Sequence, residues 1–480
     1  MKPSGGRPDA LASSSKTKSN TKKKTNYSNS PHRTLIAAFV VWKLFLFAIA
    51  AGSYAVGDAY DTSASLAVRN KYASGSSSSS QLNLLGRGLI ARFASWDAVY
   101  FVSIARRGYR FEQEWAFGSA LPLVIRGILR GLSNVGLLGG DEGRGGGGEV
   151  GDGSPEALVG VAVANGAHLL SALVLYRLGL QVWRGDRKLA LVAALLHLVS
   201  PGGLFLSAPY AETACSLFTF LGYLLFARSC AREQEQAQAP LLRDVYVVLA
   251  GVSFGLATAF RSNALLNGIP FAWEALQHLP KLLSRRPSDT VWRLLALGVG
   301  GASVAAGSVI PQFVAYQRYC SLSEPSGVDP RPWCEARLPS IYTFVQQHYW
   351  NTGFLRYWNV PNIPLFLLAA PMLAVLAKSG IDQLLSTGHR PFVAEKSVES
   401  SRLLTLVNSA AAAQVLLAVL AVTTYHVQII TRIASGYPLW YWWLANQLIR
   451  GEKLGSRIVM FMIIYASIQG ALFVSFLPPA

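Results

Sequence analysis

Four cysteines in 480 residues are too few for a disulfide scaffold, and none of them sits in a CxxC pair that would point to zinc or thiol redox chemistry. Charge is scarce too. Only 14% of residues are Asp, Glu, Lys or Arg, against 51% hydrophobic ones. With a positive mean hydropathy, that balance excludes an ordinary soluble enzyme and belongs to a membrane protein. Acidic residues are the scarcer sign, 25 against 43 Lys and Arg, which leaves a formal charge of +18. Part of this surplus is a tail: Lys2, Arg7, Lys16, Lys18, Lys22, Lys23, Lys24 and Arg33 stand before the first apolar run, opposed by Asp9. A basic run in that place reads as a cytosolic topogenic signal or a contact to anionic lipid. No recognition motif accompanies it, so nucleic acid is not an expected partner. There is also no Asp-x-Asp, no P-loop and no GxGxxG before a helix, which argues against a soluble nucleotide-sugar site with a bridging metal.

What the chain has in quantity is apolar segments. Windows of about 19 residues mark them near 34–53, 157–181, 189–208, 212–228, 243–260, 292–316, 358–378, 402–424 and 456–477. Two weaker ones run from Ala264 to Leu279, interrupted by Pro270 and Glu274, and from Tyr437 to Ile449, rich in tryptophan. Counting both gives an all-α polytopic protein of about eleven transmembrane helices. The first segment and its tail are too long for a cleavable signal peptide, so it is expected to remain as an anchor. Basic loops at 184–188, 228–243, 281–293, 378–402 and 450–457 then fall on one side, the cytosolic one, together with the N-terminus. The expected organisation is a disordered basic tail over 1–33 and a membrane domain over 34–478.

On the opposite face this leaves a long first loop (54–156), the bend from Pro201 to Thr213, the Arg261–Asn263 turn, a second large loop (317–357) and residues 425–436. The first loop carries a Ser run (Ser76 to Ser80) and a Gly-rich stretch (Gly136 to Gly153), both read as flexible insertions. Between them Phe93, Trp96, Tyr100 and Ile104 recur at three and four, as in a helix lying in the membrane surface. The sequon at Asn26 falls in the cytosolic tail and is expected to go unused.

Chemistry has to come from polar groups on that face. Asp97, beside Trp96, is placed where a general base would meet a lipid-borne hydroxyl, or else it caps a turn. Pro201, Gly202, Gly203 and Pro209 break the backbone and expose Tyr210 and Glu212; irregular backbone at membrane depth is tolerated mainly where it lines a cavity. Arg261, with Asn263 beside it, suits a phosphate, or snorkels to the interface. His348, Trp350 and Arg356 stand among aromatic rings, as in a sugar site or an interfacial belt. His426, Gln428 and Thr431 form a short polar face that ends at Arg432. Cys320 and Cys334 share one loop across a turn-rich stretch and are a disulfide candidate, two free thiols being the alternative. Cys215 and Cys230 read as free thiols.

Several blocks in order carry a family resemblance. They are Trp96-Asp97 with Gly108-Tyr109 and Glu112-Gln113, the run from Ser200 to Glu212, Phe260-Arg261-Ser262-Asn263, the run from Pro339 through His348-Tyr349-Trp350-Asn351 to Pro371, and His426 to Trp443. Together they resemble the phosphatidylinositol-glycan class V family of glycosylphosphatidylinositol (GPI) mannosyltransferases in its fungal form. That resemblance implies a multi-pass endoplasmic reticulum enzyme with a GT-C glycosyltransferase architecture. It also implies transfer of the second mannose, α-1,6-linked, from dolichyl-phosphate mannose to a lipid-linked GPI precursor on the lumenal side, by single displacement with inversion. Asp97 would be the base. Trp96, Tyr100, Glu112, Gln113, Tyr210, Glu212, Arg261, Asn263, His348, Trp350, Arg356, His426 and Arg432 would bind substrate, Arg261 and Arg432 being first candidates for the phosphate. No cofactor and no metal ligands are expected, the dolichol-linked sugar being a substrate. Divalent-metal dependence and a small accessory membrane subunit are left open by the residues. After Phe117 the chain departs from the family pattern over Gly118 to Pro122. The alternatives are another dolichyl-phosphate-sugar transferase and a lipid or sugar transporter; internal pseudo-symmetry would mark transport, and none is visible.

Overall fold

A computed structural model describes residues 30–57, 59–61, 68, 88–137, 153–235, 240–283, 287–321, 331–385 and 398–477. The tail before residue 30, its sequon, the Ser run and most of the Gly-rich stretch lie outside the described residues. All regular structure among the described residues is helical. Helix α1 (Pro31–Val56) is followed by two shorter ones, α2 (Ala98–Arg107) and α3 (Ala120–Asn134). Then come α4 (Ser154–Val182), α5 (Arg187–Leu198), α6 (Glu212–Glu235), α7 (Pro240–Phe260) and α8 (Ile269–His278). Next are α9 (Pro287–Tyr316), α10 (Ile341–His348), α11 (Ile363–Leu385), α12 (Val398–Thr423), α13 (Leu439–Ile449) and α14 (Lys453–Val474).

Eight of these helices, α1, α4, α6, α7, α9, α11, α12 and α14, are long and apolar enough to cross a bilayer. The shorter α5, α8 and α13 occupy the other three expected segments. The segment expected over 189–208 is not one helix. It stops at Leu198 and gives way to a 3-10 turn at Gly203–Leu206, since Pro201 lacks an amide donor and Gly203 turns at a φ of 49°. The weak segment after Ala264 is likewise divided, a 3-10 stretch Ser262–Gly268 preceding α8.

A freed backbone within a membrane bundle needs partners. Lys43 supplies one from the middle of α1: buried, it donates to Leu206 O at 3.0 Å and to Ser207 Oγ at 2.7 Å. Asn165 of α4 donates to Ser207 O at 3.2 Å. The segment that leads to Tyr210 and Glu212 is thereby tied to two helices.

Apolar burial does little to hold helices together in lipid, so close backbone approach matters more. Helices α7 and α9 cross on glycine: a Cβ added at Gly251 would lie 2.3 Å from Gly300 Cα, and one at Gly255 2.3 Å from Ser303 O.

The first loop differs from the expected surface helix. Its Phe93 to Ile104 stripe is interrupted: a helical stretch over 88–93 ends, and the chain turns at Trp96 with a φ of 58° before α2 begins. Helix α2 buries Ala98, Phe101, Val102, Ile104 and Ala105 and packs against α3 and α4. The second loop closes on the first. Cys320 and Cys334 form a disulfide, with Cα atoms 5.7 Å apart, and Trp333 joins Trp115, Ile341 and Val345 in a buried cluster.

Candidate active site

Asp97 stands at the position that caps α2, yet its side chain makes no capping bond. Its Oδ2 instead accepts from Arg432 Nη2 at 2.7 Å. The left-handed turn at Trp96 makes this possible. Such a backbone is unfavourable for a bulky residue by about 1–2 kcal/mol, and the indole is held there by stacking on Phe476 at 4.9 Å.

Arg432 arrives through two short turns after α12, Val427–Ile429 and Ile430–Ile433. Its guanidinium lies 4.7 Å from the Phe205 ring and 5.4 Å from that of Tyr210, and its Nε is 3.6 Å from Glu212 Oε1. Burial opposes its charge, but Asp97 and Glu212 outweigh burial and hold its pKa above the ordinary value. Tyr210 is fixed by donating to Ser95 O at 3.1 Å, and burial raises its pKa.

Arg261 sits where α7 breaks into extended backbone, and its Nη1 is 2.6 Å from the same Glu212 oxygen. Asp97, Arg432, Glu212 and Arg261 thus form one chain of alternating charge. Gly118 lets the first loop close over the end of α7: a Cβ there would lie 2.0 Å from Phe260 O.

Asp97, Arg261 and Arg432 open into a cavity of about 420 Å³. Trp96, Asp97, Tyr100, Arg261, Trp350, His426 and Arg432 line it, all expected from the sequence. Tyr100 stacks on Phe117 at 4.5 Å and Phe117 meets Trp350 edge-on at 5.6 Å, which makes one wall aromatic. His426 is held below its usual pKa by burial, against an upward pull from Asp97 and with a further push from Arg432, so it stands neutral at pH 7.

Residues 34–480 match the family described as mannosyltransferase (PIG-V). The chain belongs to that family. GPI mannosyltransferase 2 of Chaetomium globosum is 61% identical over 464 residues, spanning 94% of this chain and 96% of its own. The protein of that name from Gibberella zeae is 44% identical over 458 residues, spanning 95% and 99%. Among solved structures, the oligosaccharyltransferase of Archaeoglobus fulgidus is similar at 14% identity and a TM-score of 0.38, over 92% of this chain and 55% of that one. This PIG-V-family chain is therefore a membrane mannosyltransferase.

Not every expected residue of this mannosyltransferase reaches the cavity. Tyr210 and Glu212 stand behind Arg432. Asn263 is buried, its carbonyl accepting from Tyr437 at 3.1 Å. Glu112 is taken up by loop-to-loop packing: it accepts from Trp333 Nε1 at 3.1 Å and Tyr349 at 3.2 Å and pairs with Arg331 at 2.7 Å. Gln113, in the same 3-10 turn, does not line the cavity either. His348 is exposed and stacks on Phe344 at 4.9 Å, and Arg356 is exposed. Neither lines the cavity. Conversely, Phe117, Phe205, Tyr342 and Gln346 line the cavity without having been singled out. Phe205, Tyr342 and Gln346 lie inside flagged runs, which is the signal they gave.

The arrangement joins a carboxylate able to take a proton, two cations able to face an anion, and an aromatic wall suited to sugar C–H faces.

Proposed function

We propose that this mannosyltransferase adds the second mannose to a GPI precursor, in α-1,6 linkage, drawing on dolichyl-phosphate mannose at the lumenal face of the endoplasmic reticulum. The N-terminus would be cytosolic and the cavity lumenal, as the placement of the basic loops argues. The observation that carries the reading is the Asp97–Arg432 pair, at 2.7 Å, inside a cavity with an aromatic wall.

The donor's β linkage and the product's α linkage call for one displacement with inversion. A hydroxyl oxygen of the acceptor mannose attacks C1 of the donor sugar, and its proton passes to the Asp97 carboxylate. The C1–O bond to phosphate breaks, and its electron pair stays on the departing dolichyl phosphate. Arg432 and Arg261 face the charge that grows there. Once protonated, Asp97 no longer neutralises Arg432, so the full guanidinium charge turns to the phosphate as the bond parts. Tyr100, Phe117 and Trp350 give the acceptor sugars a stacking face, and Gln346 and Gln428 offer amides to their hydroxyls. The route assigns no step to a metal.

The test is a microsomal assay with a one-mannose GPI acceptor and labelled dolichyl-phosphate mannose. One labelled mannose, released by an α-1,6-specific mannosidase, is expected. Labelling only from a different dolichol-linked sugar would replace this reading with that of another dolichyl-phosphate-sugar transferase. Cysteines introduced at Ser15 and Ser78 in sealed microsomes check sidedness: the first should react with an impermeant reagent from the cytosolic side and the second should be shielded.

A further inference from the structure

Glu212 opens α6 directly after the Pro209 bend, and its side chain is completely buried (0% exposed). It does not line the cavity. One of its oxygens serves both cavity arginines, at 2.6 Å from Arg261 Nη1 and 3.6 Å from Arg432 Nε. The other, Oε2, has no hydrogen-bond partner among the described residues. A carboxylate whose task was to anchor a turn would engage backbone donors, as Glu114 does: its Oε2 accepts from Arg110 N at 2.6 Å and Phe111 N at 3.2 Å, while its Oε1 pairs with Arg107. Glu212 is instead directed at two guanidinium groups.

The formal charges of Asp97, Glu212, Arg261 and Arg432 cancel. Without Glu212 the cluster would carry one positive charge in a site walled by protein, where charge acts strongly. Substrate and product would not feel that surplus equally. A sugar phosphodiester has a single negative charge, while the phosphate monoester released from it has a second ionisation near pH 6 and carries close to two. Two unmoderated arginines would hold the product harder than the substrate.

We propose that Glu212 is a positioning residue that holds Arg261 and Arg432 in place and moderates their charge, so that the phosphate monoester product is released. The proposal rests on the dolichyl-phosphate donor reading above. It gives the buried carboxylate a part in turnover distinct from proton transfer, which belongs to Asp97.

The experiment compares wild-type, Glu212→Asp and Glu212→Gln full-length chains in microsomes, reading abundance, kcat, donor KM and inhibition by added dolichyl phosphate. Glu212→Gln keeps the shape and removes the charge. Its inhibition constant for dolichyl phosphate should fall about tenfold or more, the order expected for one unscreened charge a few ångströms away. Donor KM should fall by less, and kcat should fall with it. The carboxylate of Glu212→Asp, one methylene shorter, cannot serve both arginines, so its inhibition constant should lie between the other two. If Glu212→Gln does not accumulate, Glu212→Asp carries the test alone. Normal abundance and lost kcat with an unchanged or raised inhibition constant would overturn the proposal, because a purely structural carboxylate would behave so. A wild-type chain that neither takes mannose from dolichyl-phosphate mannose nor is inhibited by dolichyl phosphate would instead overturn the donor reading, and this assignment with it.

Discussion

Arg293 and Arg432 lie toward opposite ends of the bundle, and each faces two carboxylates. Arg293, 1% exposed at the start of α9, donates from Nε to Glu274 at 2.8 Å and from Nη1 to Ser229 at 3.0 Å and Asp244 at 3.2 Å. Arg432 makes one short contact, to Asp97 at 2.7 Å, with Glu212 farther off at 3.6 Å and two aromatic rings against its face. The difference is in donor saturation rather than charge. A guanidinium whose fork is filled by protein acceptors clamps three helices and has little left to offer; one that rests on rings beside a cavity keeps N–H groups for a ligand. Burial and ion pairing alone would have ranked the two as equivalents.

That contrast is open to attack by substitution. The largest effect is expected at Asp97. Asp97→Asn keeps size and removes the basic oxygen, so turnover should drop ~10²-fold or more at normal abundance, as labelled-mannose transfer per molecule would register. Near-normal transfer would remove Asp97 from the mechanism. Arg432→Met should show a comparable loss in turnover, whereas Arg293→Met should act on the fold. With Glu274 left uncompensated and Asp244 held by Arg243 alone, about 3–5 kcal/mol of stability is at stake, read as lower abundance and an earlier melting transition while the surviving molecules stay active. If both arginine variants lose abundance equally, the contrast fails.

Arg261→Lys comes next. It retains charge without the planar fork, and donor KM should rise about tenfold while acceptor KM changes little. The smallest effect concerns His426. Burial keeps its pKa low in the folded chain, while the unfolded chain takes up a proton near pH 6.5. Its contribution to stability is therefore complete above about pH 6.5 and declines as the pH falls below that value. The melting temperature of His426→Gln should depend less on pH than that of the wild type across this range.

The helical bundle and its eight membrane-length helices were legible because apolar runs record themselves directly in composition. Asp97, Arg261, His426 and Arg432 were legible for a related reason: each is a polar group at the end of an apolar segment or in a break, where only a cavity or an interface tolerates it. Other features were not. A spacing of three and four carried the eye from Phe93 to Ile104 across the turn at Trp96, since periodicity does not register a left-handed residue. Glu112 and His348 look like site residues in a line of text because aromatic neighbours serve loop packing as well as sugar binding. Tyr342 and Phe117 converge on the cavity from different loops, and convergence of that kind has no one-dimensional trace.

The pairing of Asp97 with Arg432 spans 335 residues. A ribosome adding about 5–20 residues per second therefore displays the carboxylate for roughly 17–67 s before its partner has even been made. Throughout that interval the cavity has a proton acceptor and no completed anion cradle. On the proposed mechanism, a nascent or truncated chain that ends before Arg432 would carry the proton acceptor without the cation that faces it, and competence to react would be a property of a chain that has passed that residue.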